Sequence, residues 1–323
     1  MFEFLDKSVP ITSQQWSEDT VPLVSISCIT YNHENFIRDA IEGFLMQKTT
    51  FPVEILIHDD ASTDKTASIV REYEEKYPHL IKPIYQTENQ YSKRDGSIGR
   101  IQRERACGKY YATCEGDDYW TDSLKLQKQV DFLESNSDFF GTAHACKIEY
   151  ISQYRNKIVI HRGKSEIDLG YYLTSNIFIT TASLLYRTKV VENYPEWTRG
   201  LFAGDFVLKY LILTNGKIKY FDEVMSVYNK GVPGSWSKQL ISQKRIDKEF
   251  LDNLFVLQKI SELTDYKYSY EVSVKSKRLF YRYIARSISI QNNFNKLKLF
   301  IGNFIYFKIP DYKTIIKGIV KGL

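Results

Sequence analysis

An alternation of strand and helix patterns over residues 23–85 constrains the fold more than any other feature of the chain. Short β-branched runs are separated by segments whose apolar residues recur at helical spacing: strands 23–30, 53–57 and 81–85, helices 36–48 and 65–77. Strands joined through single helices indicate a parallel, doubly wound α/β sheet. Pro83 places the third strand at a sheet edge, because proline cannot donate a ladder hydrogen bond.

Composition excludes several classes of protein. Of 323 residues, 43% are hydrophobic and 26% are charged, which is enough apolar material for a packed core and argues against a disordered chain. The four cysteines form no C-x-x-C pair, so we expect neither a disulfide framework nor a structural zinc site. With no secretory pattern at its start and no apolar run long enough to span a bilayer, the sequence predicts a cytoplasmic protein.

The C-terminal region carries an excess of positive charge. Residues 264–323 contain 12 Lys or Arg and 3 Asp or Glu, whereas the whole chain has a net charge of +5. Such a tail favours an anionic partner, and no nucleic-acid reader module is recognisable, which disfavours nucleic acid. Within it, residues 275–308 mix cationic and aromatic side chains at helical spacing. Two interpretations remain open: a helix lying on an anionic membrane, or a helical pair packed on the preceding domain.

Polar clusters follow three predicted strands: Thr30-Tyr31-Asn32, Asp59-Asp60 and Glu115-Gly116-Asp117-Asp118. In open α/β sheets, ligands bind beyond the carboxyl ends of the strands. The glycine patterns of dinucleotide and P-loop sites are absent, and carboxylates hold phosphate only through a divalent cation. One acidic pair alone is better explained as a turn or helix cap, but two pairs on neighbouring strand ends predict a metal–diphosphate site.

Longer motifs now point to a known family. The chain contains VSISCITYNH (24–33), EILIHDDASTD (54–64) and GKYYATCEGDDYWTD (108–122), and over residues 22–237 it resembles family 2 glycosyltransferases of the GT-A fold. The resemblance continues through further runs: KLQKQVDFLE (125–134), TASLLYR (181–187), GDF (204–206) and VYNKGVPGSWS (227–237). It implies a Rossmann-like, mixed but mainly parallel sheet flanked by helices, with a C-terminal helical extension. It also implies a nucleotide-diphospho-sugar donor, Mn²⁺ or Mg²⁺, and inversion at the anomeric carbon.

The same comparison suggests a division of the chain. We expect an N-terminal leader at 1–21 and a catalytic domain at 22–240. That domain would comprise a nucleotide-sugar half, 22–122, and an acceptor half, 123–240. A basic, aromatic helical region would follow at 241–323.

The resemblance also implies roles for individual residues. Those for the nucleotide-sugar are Thr30, Tyr31, Asp60, Arg94 and Asp117, with Asp60 on the base or ribose. Asp118 would bind the metal, and Asp205 would be the general base that takes the acceptor hydroxyl's proton. Trp120 and Trp236 are candidates for stacking on a donor or acceptor sugar, with core packing as the alternative. Relatives often carry Y-R-x-H where this chain has Tyr228-Asn229-Lys230-Gly231, so a metal-coordinating His is replaced by Gly.

The expected function is transfer of a sugar, from a UDP-sugar by preference, to a saccharide or lipid-linked saccharide in surface polysaccharide synthesis. The protein would then be cytoplasmic or peripheral on the inner face of the membrane. A nucleotidyltransferase is disfavoured, because the segment after the first strand lacks a Gly- and Arg/Lys-rich phosphate loop. A catalytically degenerate transferase acting as a membrane-associated partner or scaffold is the remaining alternative.

Overall fold

The computed structural model describes residues 4–151, 153, 155–201, 204–232 and 242–291, with only the backbone described at Asp205 and at 288–291. The chain divides into two compact units. The first comprises Met1–Leu169 and Asn176–Gln239, and the second comprises Gly170–Ser175 and Leu240–Leu323.

The strands are as follows: β1 Val9–Pro10, β2 Val24–Thr30, β3 Lys48–Thr49, β4 Val53–Asp59, β5 Ile81–Tyr85, β6 Tyr110–Thr113, β7 Tyr119–Trp120, β8 Phe139–Tyr150, β9 Arg155–Val159, β10 Glu166–Ile167, β11 Leu185–Arg187 and β12 Lys217–Lys230. The α-helices are as follows: α1 Ile37–Leu45, α2 Thr66–Lys76, α3 Ser97–Glu104, α4 Lys125–Ser135, α5 Leu169–Thr174, α6 Lys189–Glu192, α7 Gly204–Asn215, α8 Gln243–Leu263 and α9 Ser269–Gln291.

The central sheet of the described residues has the strand order β10-β12-β8-β11-β6-β2-β4-β5, with β7 and β9 pairing at its side. The strands β6, β2, β4 and β5 are mutually parallel, and β12 runs parallel to β8, whereas β11 is antiparallel to both of its neighbours. This mixed, mainly parallel sheet flanked by helices confirms the predicted fold class. Strand β5, which contains Pro83, is the edge strand as expected.

The register of the parallel strands brings their carboxyl ends to one edge. Thr30 at the end of β2 lies opposite Asp59 at the end of β4, and Ser27 lies opposite Thr113 of β6. Both central strands are buried almost throughout, including their polar residues Ser25, Ser27, Glu54 and His58. The residues that follow β2, β4 and β6 are thereby brought to one edge of the sheet.

Residues 4–21, the described part of the predicted leader 1–21, lie within the first unit. Strand β1 pairs with β3, the Ile11 amide donates to the carbonyl of Gln47, and the Ile11 side chain is fully buried in the core. The buried side-chain amide of Gln14 also donates to Thr49. Burial of Ile11 therefore ties this segment to the α/β core.

The apolar pattern of residues 217–222 predicts a short strand, but these residues form only the first part of β12. The strand continues to Lys230 through register shifts against β8 between Phe221 and Ser226. The exposed pair Asp222-Glu223 lies at this irregularity and interrupts the apolar alternation from which a strand is predicted. The extension brings Tyr228, Asn229 and Lys230 to the end of β12.

In the second unit, α8 and α9 form a helical pair. Phe250 of α8 stacks on Tyr283 at a centroid distance of 4.6 Å and packs beside Phe280 of α9. The part of the 275–308 segment beyond residue 291 lies outside the described residues. No helix within the described ranges is both long and apolar enough to cross a bilayer.

Candidate functional site

Three carboxylates converge where β6 ends. Glu115, Asp117 and Asp118 each place an oxygen within 4.8 Å of the others, and we call this group the acid cluster. The Gly116 amide donates to the carbonyl of Ile29, which fastens the turn to β2. Glu115 is exposed, while Asp117 and Asp118 retain 8% and 1% of their accessible surface. The cluster is thus open on one side and anchored in the protein on the other.

Burial makes the ionised form of the cluster costly in the absence of a cation. It raises the pKa of Asp118 well above its ordinary value, and the charges of Asp117 and Glu115 add to the effect. Burial likewise raises the pKa of Asp117. A divalent cation relieves both causes, because it replaces lost hydration and offsets the mutual repulsion of the carboxylates. The all-oxygen donor set therefore fits Mg²⁺ or Mn²⁺.

Asn229 of β12 holds two members of the acid cluster. Its backbone amide donates to Oδ1 of Asp118 at 2.8 Å, and its side-chain Nδ2 donates to the Asp117 carbonyl at 2.7 Å. Asn229 is itself 5% exposed, so these hydrogen bonds are shielded from water. The sequence analysis did not assign this role, since the hydrogen bonds join residues more than a hundred positions apart.

His33 is a second neighbour of the cluster that the sequence did not reveal. Its Nε2 lies 3.9 Å from Oδ2 of Asp117, and its Nδ1 lies 3.2 Å from the hydroxyl of Thr30. A Cβ at Gly116 would stand only 2.6 Å from the Thr30 hydroxyl oxygen and 3.1 Å from Nδ1 of His33. Gly116 is therefore required for the close approach of this turn to the end of β2.

Asp60 anchors the loop that contains Arg94. The two oxygens of its buried carboxylate accept the backbone amides of Gln90 at 2.7 Å and Tyr91 at 3.0 Å. Its own amide donates to the Thr30 carbonyl, which joins the ends of β4 and β2. Arg94 is exposed and adopts a φ of 52°, a left-handed conformation that is strained for a residue other than glycine.

Not all the candidate residues lie beside the acid cluster. Tyr31 is 40% exposed at the end of β2. Asp205 lies in the first turn of α7, where only its backbone is described, and Trp236 lies outside the described residues. Gly231, in place of the family histidine, has a φ of 86°, so a histidine there would be strained in this backbone conformation.

Trp120 is a core residue of the first unit. Its indole is 2% exposed and packs edge-on against Phe44 at 4.9 Å, and its Nε1 donates to the Ala182 carbonyl at 2.9 Å. Lys125 Nζ lies 3.9 Å from the ring centroid. This burial favours the core-packing alternative for Trp120 over stacking on a sugar.

The sequence also matches a known protein family. The family model of glycosyl transferase family 2 matches residues 25–194, which include the acid cluster, Asp60 and Arg94. The chain belongs to glycosyl transferase family 2. The resemblance inferred from the sequence motifs is thereby confirmed.

Several relatives are similar over most of this chain. An uncharacterized protein of Mycobacterium tuberculosis is 34% identical over 228 residues, which cover 69% of this chain and 63% of the relative. The match therefore spans less than two thirds of that relative's length. In Escherichia coli, the UDP-Glc:alpha-D-GlcNAc-diphosphoundecaprenol beta-1,3-glucosyltransferase WfaP is 28% identical over 235 residues, 70% of this chain and 86% of that protein.

Solved structures share the fold at lower identity. Residues 1–349 of S. aureus TarS in complex with UDP-GlcNAc superpose with a TM-score of 0.59 at 18% identity, covering 85% of this chain and 75% of that one. The mannosyltransferase PcManGT of Pyrobaculum calidifontis, in complex with GDP-Man and Mn²⁺, gives a TM-score of 0.50 at 14% identity, covering 92% and 86%. At these sequence identities, the two structural similarities show a shared fold and nothing more.

Proposed function

We propose that the protein is an inverting, divalent-metal-dependent glycosyltransferase that moves a sugar from a nucleotide-diphospho-sugar to a saccharide or lipid-linked saccharide. The observation that carries this proposal is the acid cluster, whose three carboxylates meet within 4.8 Å at the carboxyl edge of the parallel strands. That edge is the usual ligand position in an open α/β sheet. The degenerate-scaffold alternative has no comparable observation in its favour.

The acid cluster is the proposed binding site for the diphosphate of the donor, through a metal ion. Asp118 would be a direct metal ligand, with Glu115 as a further oxygen donor, while Asp117 would face the ribose or a metal-bound water. A bound Mn²⁺ or Mg²⁺ would neutralise the leaving diphosphate. Asn229 keeps the Asp118 carboxylate oriented through a 2.8 Å hydrogen bond. The geometry of the protein ligands is then preorganised before the donor arrives.

The nucleoside would lie over the neighbouring strand ends. Asp60 and Thr30 are the proposed contacts to the base and ribose, with Tyr31 packing beside them and Arg94 reaching the base or diphosphate. The hydrogen bonds from Gln90 and Tyr91 to Asp60 place the Arg94 loop beside the end of β4. UDP is the favoured nucleotide, since WfaP, whose name gives UDP-Glc as its donor, is 28% identical to this chain over 235 residues.

Asp205 is the proposed general base. An inverting transfer needs one carboxylate to take the proton of the acceptor hydroxyl as that oxygen attacks the anomeric carbon. Asp205 lies in the first turn of α7, where the helix dipole favours the ionised carboxylate. The family match of the Gly204-Asp205 motif supports this assignment.

The acceptor is proposed to be lipid-linked, by analogy with the diphosphoundecaprenol substrate in the name of WfaP. This would place the protein peripherally on the inner face of the cell membrane. The basic tail is a candidate contact, because Lys277, Arg278, Tyr281 and Arg282 lie on the exposed side of α9. Cationic and tyrosine side chains together suit an anionic interface.

Calorimetric binding of UDP, GDP, CDP and dTDP, with and without Mn²⁺, tests the donor site. We expect one nucleotide to bind in a metal-dependent manner to the wild type, and that binding to be lost in Asp118→Ala. A matched control is Asp131→Ala on the exposed side of α4, which leaves the acid cluster untouched. Failure of all four nucleotides to bind would favour the scaffold alternative over the proposed enzyme.

A further inference from the structure

A strongly cationic segment lies at the side of the sheet in the first unit. Residues 155–164, here named the cationic edge, contain Arg155, Lys157, Arg162 and Lys164, and no Asp or Glu occurs between residues 150 and 165. The four cationic side chains are all exposed. Strand β9 pairs with β8, and within the described part of the chain no further strand pairs with it.

Two isoleucines on the cationic edge are also exposed. Ile158 retains 58% and Ile160 38% of their accessible surface. Alternate residues of an extended segment point to the same side, so Ile158 and Ile160 share one face of the segment while Arg155 and Lys157 share the other. Charged residues alone would be explained as protection of an open strand against pairing with another chain. Exposed isoleucines do not serve that purpose. Because β9 pairs only with β8 among the described strands, a partner that approaches its other side meets the cations of one face and the isoleucines of the other together.

The cationic edge begins close to the acid cluster. Asn229, which holds Asp117 and Asp118, lies opposite Glu149 of β8, and Glu149 lies opposite Asn156 of β9. Two strand spacings separate Asn229 from Asn156, about 10 Å in all. Strands β12, β8 and β9 belong to one continuous sheet, so the distance follows directly from the pairing register.

Two cations flank the ring of Tyr150 where β8 and β12 end. Lys230 lies 5.4 Å and Arg155 lies 5.7 Å from the ring centroid. Lys230 and Arg155 thus place positive charge near Tyr150, while the acidic Glu149, which lies between Asn229 and Asn156 in the register, is paired with Lys147. A tyrosine between cationic groups is a common arrangement at the level of lipid headgroups.

We propose that the cationic edge docks the first unit onto a bilayer that contains anionic phospholipids. Cations attract the headgroups, and the isoleucines enter the boundary between headgroups and acyl chains. A soluble polyanion would use the charges and leave the isoleucines in water, so the bilayer is the better match. Docking along this edge would keep Asn229, which holds the acid cluster, about 10 Å from the membrane-facing strand.

The biological sense of this docking rests on the lipid-linked acceptor proposed above, but the docking itself does not. Vesicle binding is measured without donor, metal or transfer. Loss of the proposed enzymatic function would therefore leave the vesicle result unchanged, and the reverse also holds. The two proposals can fail separately.

Cosedimentation of the full chain with vesicles tests the docking. Vesicles of equal parts phosphatidylglycerol and phosphatidylcholine are compared with vesicles of phosphatidylcholine alone, at low and high salt. We expect the wild type to bind the anionic vesicles and Lys157→Glu/Arg162→Glu to bind about tenfold or more weakly, given the contribution of each cation near an anionic surface. The double variant Ile158→Ser/Ile160→Ser should also bind more weakly, at both salt concentrations.

The matched control, Lys65→Glu/Lys76→Glu, reverses the charge of two exposed lysines. Lys65 immediately precedes α2 and Lys76 is its last residue, near the opposite edge of the sheet. The control changes the net charge equally and should keep wild-type binding. Equal losses in the control and the Lys157/Arg162 variant would overturn the proposal, as would a wild type that binds no vesicles. Loss of binding in Lys277→Glu/Arg278→Glu, with normal binding by the cationic-edge variants, would assign the contact to α9 instead.

A fluorescent label reports insertion directly. In a Cys107→Ser background the described cysteines that remain, Cys28, Cys114 and Cys146, are buried, so Ile158→Cys can be labelled selectively with a polarity-sensitive dye. We expect a blue shift on adding anionic vesicles, and no shift for the same dye at Lys65→Cys. Binding of soluble polyphosphate with no blue shift on vesicles would overturn the bilayer in favour of a polyanionic partner.

Discussion

The backbone amide of Asn229 donates a 2.8 Å hydrogen bond to Oδ1 of Asp118, and both residues are almost entirely buried. This contact joins the end of β12 to the turn after β6, and so connects the two halves of the sheet at the acid cluster. A buried hydrogen bond to a carboxylate fixes its direction and partly offsets the cost of its charge. The proposed metal site thus depends on a residue that is not among its ligands.

Replacing Asn229 by alanine removes the 2.7 Å hydrogen bond from Nδ2 to the Asp117 carbonyl. We expect a loss of about 1–2 kcal/mol in the free energy of unfolding, since a buried carbonyl loses its donor. We also expect at least a severalfold weaker Mn²⁺ affinity. Asn215→Ala is the control, because it breaks a comparable bond to the Leu211 carbonyl elsewhere. Equal Mn²⁺ affinity in both variants would contradict the positioning role.

Asp118→Asn should stabilise the metal-free protein. Burial raises the pKa of Asp118, so the native state binds more protons than the unfolded state. Wild-type stability then falls as pH rises from the unfolded pKa through the folded one. The variant should therefore be more stable than the wild type at pH 7, and the difference should shrink as the pH falls toward 4. Urea unfolding in EDTA from pH 4 to 7 checks this, and parallel pH curves for both proteins would refute it.

A helix glycine controls the position of Trp120. A Cβ at Gly43 would lie 2.9 Å from the Trp120 amide nitrogen and 3.0 Å from its carbonyl oxygen. Gly43→Ala should therefore cost about 1–3 kcal/mol of stability by overpacking. It should also weaken donor binding, because Trp120 lies only two residues after Asp118 of the acid cluster. Gly99→Ala in α3, where the Cβ meets only the flexible end of Arg103, should be neutral or stabilising. Thermal unfolding and UDP titration of both variants test the contrast.

Lys125 gives the stability of the protein a distinct pH dependence. Burial lowers its pKa to about 7, and its Nζ donates to Gln129 at 2.8 Å. At pH values between the folded and the unfolded pKa of Lys125, the side chain is protonated in the unfolded state and neutral in the folded state. The free energy of unfolding therefore rises with pH over this range. From pH 7 to 9 we expect a gain on the order of 2 kcal/mol that Lys125→Met removes. The control variant Lys76→Met, at an exposed lysine, should retain this gain in stability. A stability–pH profile of Lys125→Met identical to that of the wild type would exclude Lys125 as the source of the gain.

Sequence reasoning predicted features that local chemistry determines. The strand ends at Thr30, Asp60 and the acid cluster follow from the alternation of apolar and polar runs, and Pro83 fixed an edge by its missing donor. Asn229 and His33 were not predicted, because their contacts with Asp117 and Asp118 arise only when distant strands align. No local pattern distinguishes an asparagine that holds a carboxylate from one that faces water.

Trp120 illustrates the opposite difficulty. The sequence pattern of an aromatic residue shortly after an acidic motif predicts a position beside the ligand and a position in the core equally well. Its position was decided by Gly43, which admits the strand close to α1, and by the Ala182 carbonyl that accepts its indole N–H. Both partners lie far away in sequence.

Anomalous diffraction from crystals grown with Mn²⁺ and UDP tests the central claim most directly. The account predicts a manganese peak bounded by Glu115, Asp117 and Asp118, in contact with the diphosphate, and no such peak in Asp118→Asn. UDP bound at the strand ends with no manganese beside these carboxylates, or manganese bound elsewhere, would contradict it.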